Sequence, residues 1–123
     1  MKSRPHVRAA RVYEPPQPND GIRILVDRLW PRGLSKEVAR LDVWCKNVAP
    51  STELRRWYGH EAQRFTEFVA RYEAELTSPC QAQALGFLAE LCRQGPVTLL
   101  TATREVSLSH AAVLIDALVN ASD

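Results

Sequence analysis

The chain has 123 residues, 46% of them hydrophobic and 24% charged, with a formal net charge of +2. That length suits one domain, and the composition excludes wholesale disorder or a fibrous repeat. No apolar run approaches the roughly 20 residues that span a bilayer, and the basic start Met1-Lys2-Ser3-Arg4-Pro5-His6 has no apolar stretch behind it, so neither a membrane association nor a signal peptide is expected. Three cysteines without framework spacing argue for a reducing compartment, and a cytoplasmic location is expected.

The charge is unevenly placed. Residues 1–40 carry nine basic and four acidic side chains, net +5, whereas residues 41–123 carry seven and ten, net −3. A basic first third on a nearly neutral chain suggests a local anion-attracting surface. No basic run of five or six residues makes a broad nucleic-acid footprint, so nucleic acid is not the favoured partner, although the arginines could also serve as a contact surface.

In chain order, residues 1–7 are expected to be a mobile terminus, with one α/β domain over 8–120. The first strand is read from Val7 to Tyr13. The loop Glu14–Gly21 holds three prolines and an Asp-Gly pair, a stiff polyproline-like link ending in a turn. Ile22 to Asp27 is β-branched and bounded by turn signals, a central strand. Eight linking residues exceed a tight hairpin and fall short of a usual crossover, so parallel and antiparallel pairing of these two strands both stay open. Trp30-Pro31 and Gly33 forbid regular structure. Ser35 starts a helical turn, and Leu41–Val48 is read as another. Ser51 caps a helix running to Tyr58 and stopping at Gly59.

From Glu61 to Thr77, Phe65, Phe68, Val69, Tyr72 and Leu76 recur with helical period as one apolar stripe. Ser78-Pro79-Cys80-Gln81 combines a cap, proline at the first helical position and a capping-box glutamine. The helix it opens points Leu85, Leu88, Leu91 and Cys92 inward and ends at Gly95-Pro96. Val97–Thr101 is apolar without alternation, as in a strand covered on both faces. After a polar loop at 102–106, Ser107 or Ser109 caps a last, mostly apolar helix. The expected fold is a small three-layer α/β domain, mainly parallel, with flanking helices.

In open α/β sheets, ligands bind outside the carboxyl ends of the strands. Asp27-Arg28-Leu29-Trp30-Pro31-Arg32-Gly33-Leu34-Ser35-Lys36 and Thr101-Ala102-Thr103-Arg104-Glu105, leading to His110, would meet there. Guanidinium forks suit phosphate or carboxylate, so Arg28, Arg32, Lys36 and Arg104 are candidate ligands for an anionic small molecule, with Trp30 as a stacking face. Asp27 would orient the arginines or act as a base. His110, near a helix start, would be a base or hydrogen-bonding group. The same residues also suit a plain surface loop, with Asp27 a local salt-bridge partner, Trp30 a lid on the core and His110 a helper in capping its own helix. His60 reads as a turn residue.

The cysteines carry little. Six residues beyond Cys45, Cys80 and Cys92 stand Ser51, Gly86 and Thr98, so no Cys-x5-Arg phosphate loop exists. No metal-ligand spacing, dinucleotide fingerprint or NTP phosphate loop appears, and neither a metal nor a cofactor is expected.

Arg11-Val12-Tyr13, Asp20-Gly21 and above all Leu25-Val26-Asp27-Arg28-Leu29-Trp30-Pro31-Arg32-Gly33 resemble the YeaO-like branch of the bacterial family called domain of unknown function 488. Leu41-Asp42-x-Trp44, Ala49-Pro50-Ser51-Thr52-Glu53-Leu54-Arg55, Arg71-Tyr72-x-x-Glu75-Leu76, Val97-Thr98-Leu99-Leu100 and His110-Ala111-x-Val113-Leu114 fit the same pattern over residues 8–119. The resemblance implies an α/β fold, a bacterial cytosolic origin and a site around Asp27, Arg28, Trp30, Arg32 and His110, without an assigned reaction. Longer relatives carry a cysteine beside the terminal histidine. Ser109 stands there in this chain, so a thiol mechanism is not expected at that position.

Overall fold

The computed structural model describes residues 6–121. Its strands are β1 (Val7–Arg11), β2 (Ile22–Leu25), β3 (Val43–Trp44) and β4 (Val97–Thr101), and its helices are α1 (Lys36–Ala39), α2 (Thr52–Tyr58), α3 (Phe65–Glu75), α4 (Pro79–Gln94) and α5 (His110–Ala121). Five of the seven residues expected to be a mobile terminus lie outside the described residues. His6 offers its carbonyl to the Val97 amide, and Val7 opens β1.

The sheet is wholly parallel, in the order β1-β4-β2-β3. The first two strands do not pair with each other, because β4 lies between them, with Val97 opposite both Val7 and Ile22. The link from β1 to β2 is therefore a return run from the carboxyl edge to the amino edge of the sheet. Polyproline-like chain rises about 3.1 Å per residue, so eight residues suffice without a crossover helix. Its end is fixed by Asp20, whose buried carboxylate accepts from Arg8, from Arg23 at 2.6 Å and from the Gln17 amide at 2.9 Å. At Gly21 the backbone turns at φ +66° against the Pro96 carbonyl.

Strand alternation divides the core in two. Ile24, Val26, Val97 and Leu99 face Leu54, Tyr58, Phe68, Tyr72, Leu88 and Leu114 of the helices. Ala10, Val12, Leu25 and Leu100 face the other way, beneath Trp30, Leu34, Leu41 and Ala102. The expected layering is thus present but unequal, with α2–α5 on one side and the β2–β3 connection, with one-turn α1, on the other.

Local chemistry sets most boundaries. Ser35 and Ser51 accept from the Val38 and Leu54 amides at 3.2 and 3.1 Å, and α2 stops at left-handed Gly59. Two readings are corrected. Leu41–Val48 is not a helical turn but β3 followed by a 3-10 turn at Lys46–Val48, because Arg23 and Leu25 of β2 accept the Asp42 and Cys45 amides at 2.9 and 2.8 Å. The Glu61–Thr77 segment is divided into a 3-10 turn at Ala62–Arg64 and α3. The capping-box geometry before α4 is also altered. The Ser78 hydroxyl lies 2.7 Å from the Glu75 carbonyl, while Gln81 donates to the Ala49 carbonyl at 3.0 Å.

Candidate functional site

β2 and β4 are adjacent, so their carboxyl ends deliver Asp27 and Ala102 to one place. Asp27 Oδ2 accepts the Ala102 amide at 2.8 Å, and the indole N–H of Trp44 donates to the Asp27 carbonyl at 2.8 Å. His110, the first residue of α5, brings Nε2 to 3.1 Å from the Val26 carbonyl and 3.2 Å from Asp27 Oδ1. Both neighbours are acceptors, so Nε2 carries the hydrogen, and its better alignment is on Val26, which leaves Oδ1 buried without a full hydrogen bond. Burial by itself raises the Asp27 carboxyl, but His110, the Ala102 amide and Thr101 outweigh it and hold the group below its ordinary value.

This cluster forms the floor of a cleft of about 570 Å³. One wall is the chain leaving β2, from Asp27 to Pro31. Another is the chain around the start of α5, with Leu108, Ser109 and His110. The third is α2, which presents Thr52, Arg55 and Arg56, three positions on one face of a helix. Leu54, on the opposite face, is buried in the core, while Tyr58, one step round from Arg55, packs into the core and borders the cleft. His60 follows in a left-handed turn, φ +58°, and also borders the cleft.

Of the residues singled out from sequence, Asp27, Arg28, Trp30 and His110 border the cleft, whereas Arg32, Lys36 and Arg104 do not. The latter three are exposed. Arg28 reaches the Ala49 and Pro50 carbonyls only at 3.3 and 3.4 Å, and its Nε is buried without a partner. Trp30 spends its indole N–H on the Leu34 carbonyl at 2.8 Å and meets Trp44 edge-on at 5.4 Å between centroids. Asp27 engages the Ala102 amide and His110 rather than orienting arginines. Sequence reasoning missed Arg55 and Arg56. The signal was a pair of cations one turn after the Ser51 cap, but which way that face turns is set by packing.

No cysteine borders the cleft. Cys45 is buried, and burial pushes its thiol up, as it does for Cys92. Two of the hydroxyls beside the floor are committed. Ser109 donates to the Val106 carbonyl at 2.6 Å and accepts the Ala111 amide at 3.2 Å, while Tyr58 donates to the Leu108 carbonyl at 2.6 Å. Among the described residues, no helix is long and apolar enough to cross a membrane.

A family model described as the inactive DUF488-N3 subclade matches residues 6–123. The chain is 53% identical over 112 residues to an uncharacterized protein of Mycobacterium tuberculosis, covering 91% of this chain and 92% of that one. A Mycobacterium bovis protein matches to the same extent. The uncharacterized protein YeaO of Escherichia coli is 42% identical over 111 residues, covering 90% of this chain and 95% of its own. No solved structure matches the chain significantly.

Proposed function

The chain belongs to the DUF488 family, in the DUF488-N3 subclade described as inactive, and from that premise we propose that it binds a small oxyanion in the strand-end cleft without transforming it. One observation carries the reading. Arg28, Arg55 and Arg56 border a single cleft whose one carboxylate, Asp27, is already engaged with Ala102 and His110. Three arginines bordering one concave space concentrate positive charge there, and an anion with several oxygens offsets that charge while accepting forked donors. Asp27 and His110, entered above as candidate catalytic residues, act here as positioning residues that fasten the β4 exit and the start of α5. The description of the subclade as inactive supports binding over catalysis.

A thermal-shift comparison with inorganic phosphate, sulfate and chloride tests this. Phosphate or sulfate at about 100 times its dissociation constant adds roughly 2.7 kcal/mol, which is about 3–6 °C for a domain of this size. The Arg55→Gln and Arg56→Gln variants keep the ligand-free melting temperature within about 1–2 °C and lose the shift. An equal shift in wild type and both variants overturns the proposal.

The runner-up reading, a non-catalytic contact surface for a nucleic acid or protein, is favoured by exposed Arg32 and Lys36 outside the cleft. It predicts binding to long polyanions that weakens steeply with salt, undiminished by Arg55→Gln.

A further inference from the structure

The cleft is much larger than an oxyanion needs. Pockets of roughly 300–1,000 Å³ hold drug-sized ligands, and a lone phosphate in a space of about 570 Å³ would leave most of it to water. Part of that remaining space faces aromatic and aliphatic side chains, with Thr52, His60, Thr103 and Ser109 on the rest of the lining. Tyr58 and Phe68 border it as a stacked pair, ring centroids 4.3 Å apart and planes 18° apart. The row continues through Tyr72 to the edge of His110, at 5.8 and 6.3 Å. Trp30 and Leu108 complete the apolar lining. The aromatic polar atoms are turned away from any ligand, since the Tyr58 hydroxyl is given to Leu108 and the Trp30 indole N–H to Leu34. Pro31 and Pro50, also on the walls, have no N–H to offer.

That apolar part of the lining offers few hydrogen bonds to a polar body, and water against it is poorly held. Beside it stand three guanidinium groups that bind oxyanions at their edges and lie flat on aromatic faces.

Resting on the oxyanion reading above, we infer that the ligand of this cleft is an aryl-bearing oxyanion, with its phosphate or carboxylate among Arg28, Arg55 and Arg56 and its ring against Tyr58, Phe68 and Trp30. Phe68 is 2% and Tyr58 5% exposed, so a flat ring meets the edges of that row and the Trp30 ring with edge-on contacts, which a saturated ring of similar size does not make.

Calorimetric titration of the full chain with phenyl phosphate, cyclohexyl phosphate, benzoate, inorganic phosphate and phenol tests the inference. Phenyl phosphate or benzoate, whichever anion the arginines prefer, is expected to bind at least tenfold more tightly than inorganic phosphate and than cyclohexyl phosphate. Phenol is expected not to bind. Arg55→Gln weakens the aryl anion and inorganic phosphate together, and nuclear Overhauser contacts run from the ligand ring to the Tyr58 and Phe68 rings. If inorganic phosphate binds as tightly as both aryl anions, the aryl part is wrong and the oxyanion site stands. Equal affinity for cyclohexyl and phenyl phosphate, or tight binding without those ring contacts, also overturns it. If no anion binds, the oxyanion reading falls and this inference falls with it.

Discussion

Asp27 ties three pieces of chain together through one carboxylate and its own carbonyl: the β4 exit at Ala102, the start of α5 at His110 and the edge strand at Trp44. Its carboxyl is held below the ordinary value of about 3.9. A carboxylate depressed in the fold adds stability that is complete above the unfolded value and is lost as pH falls through the folded one. Asp27→Asn is therefore expected to lower stability by about 1–3 kcal/mol near neutrality, with the gap to wild type closing as pH falls below about 4. Urea midpoints between pH 6 and 3 check this, and a gap constant across that range contradicts it. Asp20 shifts in the same direction, because Gln17, Arg8 and Arg23 outweigh its burial, so the variant keeps part of the acid sensitivity. Asp27 and His110 were legible from sequence because strand-end positions follow from the order of elements. Arg55 and Arg56 were not. The apolar pair Leu54 and Tyr58 says only that the arginines point away from the core, and whether that means solvent or cleft depends on where α2 packs.

Among elements, the link between β1 and β2 carries the least regular structure and tight constraints. Gly21 holds a positive φ, and a Cβ there would meet the Pro96 carbonyl oxygen at 2.1 Å, the same oxygen that accepts the Ile22 amide at 3.0 Å. The turn therefore docks β2 onto the start of β4. Gly21→Ala combines left-handed strain of roughly 1–2 kcal/mol with a backbone clash, and a loss of about 3 kcal/mol is expected. An unchanged denaturation midpoint would show that the link is not tight. Elements with their own caps or stripes were readable in sequence: α2 through Ser51 and Gly59, α3 through Phe68 and Tyr72, and β4 through its unbroken apolar run. β3 was not, because two residues carry no period and Val43-Trp44 is a strand only through bonds to β2. The pairing of β1 and β2 stayed open in sequence for a related reason. The strand that separates them lies some seventy residues further on.

For the whole molecule, the lopsided charge of the sequence does not become a lopsided surface in a simple way. Arg8 and Arg23, from the basic first third, are drawn to Asp20 at the amino end of the sheet, and Arg32 and Lys36 stand outside the cleft. Among the described residues, Arg28 alone of that segment's arginines borders it, and the two cations that join it come from the more acidic remainder. Folding thus assembles a cationic cleft at the carboxyl end from residues that no local charge count would group, while at the amino end Asp20 pairs with two arginines. Wholly parallel topology makes this separation, since every strand end that opens toward ligand lies on the same side.

The central claim, that this cleft rather than the exposed basic loop receives the anion, is tested most directly by a phosphate titration followed through the arginine Nε–Hε resonances. Saturable shifts at Arg28, Arg55 and Arg56, with Arg32, Arg93 and Arg104 unmoved, are the result expected. Shifts centred on Arg32, or small and equal at every arginine without saturation, would contradict the account.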